Sequence, residues 1–504
     1  MDGLPRLVVT GASGFVGRHV LDSLKEDFLI FGLARRSQAR SGAPVHPNIL
    51  WYQVDVGDRG TIQNVFRRIR DHGGAETVIH LAAHHDFSGD EHQEYWRTSV
   101  HGLRNILDVC RDLGVRHFVF GSSLAACRFP RPGEVVSESN PADGQHIYAR
   151  AKRAGEEMLE EYRDHFRSHI VRFAALYSDW CEYFPLFMFL RTWLSESWCS
   201  RILGGRGQSA IPYLHVLDVP PFFRSLLSVL DEIEPGQVLH ASPDGAVSHR
   251  ELFEVAHLSC FGQKTRPLLL PRPLCGVCIR IRDVLGTIAG ETPFERPWMA
   301  RYVDRQLVVS SLRTRQLLTW SPRPRLGILR RMPFLIENMK ADPVEWHRRN
   351  RAALKQVELR INLRIYQLLE RHEAEICGRY SKRLRELASA ERLASYRNFS
   401  EEQLSWIVKQ IFRHLANAVR THEKGVIISY CRDLAAQRFR EGFTSREVCD
   451  ALELLNQTCF AVLRKDPEAE GLRDAIHDHV TMTLRVGCDQ AQDVFEALDT
   501  GRAH

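Results

Sequence analysis

The sequence predicts an α/β fold. A doubly wound parallel sheet carries a small lobe and is followed by an all-α helical bundle. Three observations predict it. Short apolar runs alternate with helical stretches over residues 1–180. A glycine-spaced turn, Thr10-Gly11-Ala12-Ser13-Gly14-Phe15-Val16-Gly17, follows the first run and opens the first helical stretch. After about Pro343 the β-like runs become few and apolar residues recur at helical spacing.

Strands are expected at Leu7–Thr10, Phe28–Leu33, Ile49–Val54, Thr77–Leu81, Phe118–Gly121 and Ile170–Phe173. Each is short and apolar, as strands buried on both faces of a parallel sheet are. Helices are expected between them, including Thr61–Asp71, His101–Leu113 and Ile147–Phe166. Such alternation calls for helices on both faces of the sheet. Residues 181–340 are less regular, with aromatic clusters, many prolines and Gly204-Gly205-Arg206-Gly207. They read as a substrate-side lobe with an amphipathic tail at Val303–Leu318. The organisation is therefore 1–340 and 345–504. In the second part Val357, Ile361, Ile365, Leu368 and Leu369 keep helical spacing. Ser400-Glu401-Glu402-Gln403 and Thr444-Ser445-Arg446-Glu447 are capping boxes. Five or six helices are expected there.

Composition removes several function classes. The 504 residues are 44% hydrophobic and 26% charged, ordinary for a soluble globular protein. A net charge of +6, with both signs interspersed, gives no warrant for nucleic-acid binding. The 12 cysteines are scattered, and Cys275–Cys278 is the one close pair. They read as core residues rather than metal ligands, so no metal site is expected. Reduced thiols fit a cytoplasmic setting. The N-terminus runs straight into a strand, so no leader peptide is expected. No apolar run reaches the roughly 18 residues of a transmembrane segment. Pro185–Leu194 is too short, and Leu268–Ala289 is broken by Pro271, Pro273, Arg280, Arg282 and Asp283. Core packing is expected of both, in preference to contact with a membrane surface.

The glycine turn points to a dinucleotide. Gly11 allows the tight turn, Gly14 lets the backbone approach a pyrophosphate, and Gly17 lets helix and strand pack closely. Ser13, Phe15 and Val16 complete the loop. The helix start offers N–H groups and a positive dipole end to the phosphates. A βα turn with no ligand is the plainer alternative.

Tyr148 and Lys152 stand four apart on one helix face. A tyrosine with an ordinary pKa of about 10 is a poor proton carrier at neutral pH. A nearby ammonium favours phenolate and is expected to bring it toward the working range. Upstream, Phe118-Val119-Phe120-Gly121-Ser122-Ser123 is a strand ending in two serines. A serine at that carboxyl edge points into the crevice where such sheets bind ligands.

With these residues the chain resembles the extended short-chain dehydrogenase/reductase family, in its epimerase/dehydratase-like branch, over about residues 5–330. Thr10–Gly17 fits the family's Thr-Gly-x-x-Gly-x-x-Gly pattern. The resemblance implies a Rossmann-type sheet and a homodimer. It makes Ser123, Tyr148 and Lys152 the catalytic serine, tyrosine and lysine, with Tyr148 and Lys152 also touching the cofactor. It implies that Asp55-Val56 contacts the adenine and that Leu81-Ala82-Ala83, after His80, lines the cofactor. Three positions depart from the family pattern. Ser99-Val100-His101-Gly102 stands where Asn-Val-x-Gly is common. Leu124-Ala125 replaces the Asp-Glu pair of dehydratases, and Cys127-Arg128 replaces an aromatic-glycine pair of epimerases.

The resemblance therefore favours a small-molecule oxidoreductase acting on a hydroxyl or carbonyl. A sugar-nucleotide epimerase and a nucleotide-sensing regulator are the alternatives. The second strand ends Gly32-Leu33-Ala34-Arg35-Arg36, with no carboxylate for a ribose 2′-hydroxyl. Arg35 and Arg36 favour NADP over NAD. His84-His85-Asp86 is expected to line the crevice or to be satisfied loop histidines rather than a metal site, Arg172 or Arg206 to clamp an anion or pair structurally, and Asp218 to be structural. Residues 399–495 are similar to the N-terminal helical domain of RsbT co-antagonist (RsbR-type) regulators. The carriers are Ile428–Ala435, the turn Gly442-Phe443 and Glu447-Val448. That similarity implies a protein partner bound through 345–504. His414, His422, His477 and His479 read as helix-surface histidines rather than haem or metal ligands.

Overall fold

A computed structural model of the chain describes residues 3–85, 93–197, 199–289, 295–354, 361–390 and 392–500. Asp86 and Val357 lie outside the described residues. The chain forms two compact units, Met1–Glu358 and Leu359–His504.

The first unit is built on a seven-stranded parallel sheet. Its strands are β1 (Arg6–Thr10), β2 (Leu29–Ala34), β3 (Ile49–Gln53), β4 (Thr77–His80), β5 (His117–Ser123), β6 (Arg167–Phe173) and β7 (Gln237–Ala241). Their spatial order is β7-β6-β5-β4-β1-β2-β3. The order reverses beside β1, where such sheets open a crevice at the carboxyl ends of the strands.

Alternation along each strand explains the double winding. Val8, Phe31, Val78 and Phe118 join one core with Ile62, Leu103 and Met158. Their neighbours Leu7, Ile30, Ile79 and Val119 join another with Val20, Leu21, Phe222 and Phe223. These four strands, β1, β2, β4 and β5, thus bury both faces against helices, which is why their central runs are apolar. Three of the helices are α1 (Phe15–Leu24), α2 (Gly102–Leu113) and α3 (Ile147–Glu160). The last ends before the expected Phe166, and Tyr162 and Phe166 pack on as turn residues.

β7 was not among the expected strands. It lies in the stretch read as irregular, and its sequence, Gln-Val-Leu-His-Ala, is broken by polar residues. Those residues are held by hydrogen bonds to neighbouring segments. His240 Nδ1 lies 3.0 Å from the Ser310 carbonyl, and its N–H donates to Thr314 Oγ1 at 2.8 Å.

The lobe gathers around a core of Tyr177, Phe187, Trp193, Tyr213 and Phe253. Helix Phe184–Trp193 is buried in it, as expected for core packing. Helix Pro343–Leu354 also belongs to this first unit, although composition alone assigns it to the helical third. Trp346 is buried in the lobe core, and Asn350 donates to the Trp180 carbonyl at 2.8 Å.

The second unit is helical among its described residues. Its longer helices are α4 (Ile361–Arg371), α5 (Glu373–Ser389), α6 (Glu401–Thr421), α7 (Gly425–Arg440), α8 (Ser445–Leu463) and α9 (Met482–Asp499). Both capping boxes form, at Ser400/Gln403 and Thr444/Glu447. Gly442 turns the chain with φ 81°, and Phe443 N–H donates back to the Arg438 carbonyl at 3.0 Å.

Candidate active site

Three adjacent strands assemble the site. β1 pairs with β4 and β4 with β5, so the segments after Thr10, His80 and Gly121 share one end of the sheet. Gly11 sits at φ 69°, and a Cβ there would lie 2.7 Å from the Leu81 carbonyl carbon and the Ala82 nitrogen. A Cβ on Gly17 would lie 2.4 Å from the Gly11 carbonyl oxygen. Helix and strand pack at a distance that only glycine permits. Gly14 caps α1 without a side chain, and its N–H donates to the Gly11 carbonyl at 2.8 Å. The N–H groups that open α1 thus receive no capping side chain, which leaves a cradle for an anion.

Thr10 braces this floor. Its hydroxyl lies 2.9 Å from His80 Nδ1 and accepts from Ala82 N–H at 3.2 Å. His80 is buried, and burial reinforced by the Lys152 charge lowers its pKa to about 3. It is a neutral structural imidazole at physiological pH. Asp55 Oδ1 accepts from Gly57 N–H at 2.9 Å, and Val56 packs against Gly102. Asp55 is thereby fixed at the end of β3.

Arg36 reaches back to the glycine turn, donating to the Ser13 carbonyl at 2.5 Å. Arg35 lies 3.6 Å from Glu94. Both guanidiniums stand at the end of β2, already engaged by protein groups.

The helix α3 brings Tyr148 and Lys152 to the carboxyl end of β5. Ser123 lies beside the Tyr148 phenol, near enough to favour its ionised form. Ser123 Oγ accepts from Ala125 N–H at 3.2 Å, which fixes its rotamer. Lys152 is buried and donates to the Gly121 carbonyl at 2.5 Å. Its ammonium lies 5.9 Å from the Tyr148 ring centroid. Burial lowers Lys152 to about 8, against the pull of Glu156 one turn on.

Here one expectation is corrected. Tyr148 is not drawn toward neutrality. Burial pushes it up to about 12, only partly offset by the neighbouring Ser123. Lys152 spends its closest hydrogen bond on a backbone carbonyl rather than on the phenol. Tyr148 is therefore a neutral phenol at physiological pH.

Several residues complete the crevice. His85 packs edge-on against Tyr148 at 4.5 Å between ring centroids, as expected of a crevice-lining residue. His146 stacks between Tyr148 and Trp298, 6.2 Å from each. Ser99 lies in a π-helical turn, Tyr95–His101, and accepts from His84 N–H at 3.0 Å. It orders the backbone leading to His85. Sequence reasoning missed Trp298 and the π turn, because neither carries a motif.

The anion-clamp candidates separate. Arg172 is buried and bound bidentately to Glu156, at 3.0 and 2.7 Å, and to the Asn140 carbonyl at 2.7 Å. It is a structural pair beneath the site. Arg206 is exposed, and its backbone N–H is held by Asp304 at 2.9 Å. Asp218 accepts from Arg323 Nε at 2.6 Å, which fits its structural reading. No cluster of three or more metal-ligating side chains occurs among the described residues.

The sequence model of the NAD dependent epimerase/dehydratase family matches residues 7–241. That segment is similar to this family. A similar curated protein is the UDP-glucose 4-epimerase of Streptococcus mutans serotype c. It is 28% identical over 182 residues, which cover 34% of this chain and 50% of that one. Another is the N-acetyl-alpha-D-glucosaminyl-diphospho-ditrans,octacis-undecaprenol 4-epimerase of Escherichia coli O157:H7. It is 29% identical over 156 residues, 31% of this chain and 43% of that one. The chain spans about half the length of these curated relatives. Among solved structures, UDP-glucose 4-epimerase from Thermotoga maritima aligns with a TM-score of 0.51 and 20% identity, over 67% of this chain and 99% of that one. That likeness shows the shared fold.

Proposed function

We propose that this chain is a nicotinamide-dinucleotide-dependent oxidoreductase acting at a hydroxyl or carbonyl carbon. The neighbouring Ser123 and Tyr148, beside the buried Lys152 and the uncapped glycine turn, carry the reading. Gly11, Ser13, Gly14, Phe15, Val16 and Gly17 would hold the pyrophosphate. Asp55, Val56, Leu81, Ala82 and Ala83 would line the rest of the dinucleotide. When bound, the nicotinamide supplies the hydride acceptor or donor.

The remaining work falls to the protein. Ser123 holds the substrate oxygen against Tyr148. The Tyr148 phenol gives its proton as a carbonyl oxygen gains negative charge. The Lys152 ammonium stabilises the phenolate left behind and offers donors to the ribose hydroxyls. In the oxidising direction the phenol must first lose its proton, and the same ammonium favours that step.

Arg35 and Arg36, with no carboxylate at 32–36, support NADP over NAD. Fluorescence titration with NADPH and NADH tests the site. Binding of either supports it, with NADPH the tighter, and binding of neither sinks it. Tyr148→Phe should lower turnover by about 10²-fold or more. Unchanged turnover on any substrate found would remove Tyr148 from the mechanism.

The relatives favour a second reading, sugar-nucleotide epimerisation by transient oxidation, since two of them are named UDP-glucose 4-epimerases. Dinucleotide retained through purification, together with UDP-sugar interconversion and no net absorbance change, would select it.

A further inference from the structure

Helix Arg272–Ala289 does not pack as a core helix. Leu274, Val277, Ile281 and Val284 follow one another at three-, four- and three-residue steps, which places them on one face at about 3.6 residues per turn. That face is turned outward: they are 50%, 53%, 55% and 59% exposed. Leu268 and Leu269, in the strand that leads into the helix, are exposed as well. Cys275, on another side, is the buried residue that seats the helix against Gly204. Over Leu268–Val284 this overturns the expectation of core packing.

The charges around the stripe have a consistent sign. Arg280 and Arg282 fall at its two edges, Arg272 opens the helix, and Lys264 and Arg266 precede the strand; all five are exposed. The acids nearby are matched, Asp283 by Arg296 at 3.1 Å and Glu295 by Arg282 at 2.9 Å, so the positive surplus is that of Lys264, Arg266, Arg272 and Arg280. An apolar stripe edged by arginines whose stems can lie along it suits an interface between hydrocarbon and anionic headgroups. No described helix is long and apolar enough to cross a membrane, so the arrangement lies on a surface.

We propose that this helix docks the protein on an anionic lipid bilayer. The segment Pro297–Tyr302 follows it and carries Trp298, whose ring stacks on His146 beside Tyr148. Docking would therefore place the rim of the candidate site close to the lipid surface. The docking itself does not rest on the proposed oxidoreductase activity.

The test is flotation of the full chain with phosphatidylcholine vesicles, with and without phosphatidylglycerol. The chain should float with the anionic vesicles and weaken as salt rises. Ile281→Asp should reduce binding by about tenfold or more, with an unchanged melting temperature because the side chain is exposed. Arg280→Glu should weaken binding to anionic vesicles alone. The proposal falls if the wild-type chain stays unbound, or if Ile281→Asp floats equally well. It falls too if sedimentation shows a dimer that Ile281→Asp dissociates while the wild type ignores vesicles, for then a second copy covers the face. Dinucleotide titration reads the site independently, so either idea can fail alone.

Discussion

Ser122 and Ser123 are neighbours at the end of β5 and meet opposite surroundings. Ser122 turns into the protein and donates to Glu156 at 2.5 Å, and Glu156 in turn holds Arg172. Every charge there is answered by another buried group. Ser123 turns toward the crevice and meets Tyr148, which burial keeps a neutral phenol. One strand end thus carries a closed polar network on one side and the proposed reactive pair on the other. The closed side fixes the helix that presents the reactive side, since Glu156 and Lys152 are one turn apart on α3. Rigidity and chemistry are separated by a single step of the pleat.

The contrast can be broken from either side. Glu156→Ala should be the largest single loss, since it leaves the Arg172 guanidinium buried without its counter-ion. About 3–5 kcal/mol of stability should disappear in denaturant unfolding. A loss under about 1 kcal/mol would mean that the network is not closed. Next, Ser123→Ala should lower turnover by about 10²-fold with little change in melting, while Ser122→Ala should cost about 1–2 kcal/mol of stability and leave turnover nearly intact. Equal kinetic effects from the two would erase the distinction. The smallest effect concerns pH. Lys152 is lowered to about 8, so its ammonium is present below that pH and is lost above it. Dinucleotide affinity should therefore fall as pH rises through about 8, by up to about tenfold, and Lys152→Gln should flatten the profile.

The sheet was legible because strands buried on both faces announce themselves as apolar runs. The glycine turn was legible because its spacing has one physical use. β7 was hidden because Gln237 and His240 are buried on hydrogen bonds to neighbouring segments that no pattern encodes. Arg172 stayed open between anion clamp and structural pair because sequence cannot reveal that Glu156, sixteen residues earlier, reaches it across the fold. The direction of the Tyr148 shift was missed for a similar reason. Spacing placed Lys152 on the same helix face but could not show its ammonium bonded to Gly121. The stripe on helix Arg272–Ala289 was missed because its segment read only as an apolar run broken by prolines and charges, and such a run does not say which side faces solvent.

One contact has a consequence for anyone altering this protein. The glycine turn and the exit of β4 touch so closely at Gly11 and Ala82 that no atom can be added between them. Two loops distant in sequence therefore behave as one mechanical part. Library positions 11, 81 and 82 should be varied jointly rather than one at a time. A gain found at Leu81 or Ala82 should transfer to another scaffold only if that scaffold has glycine at the position of Gly11.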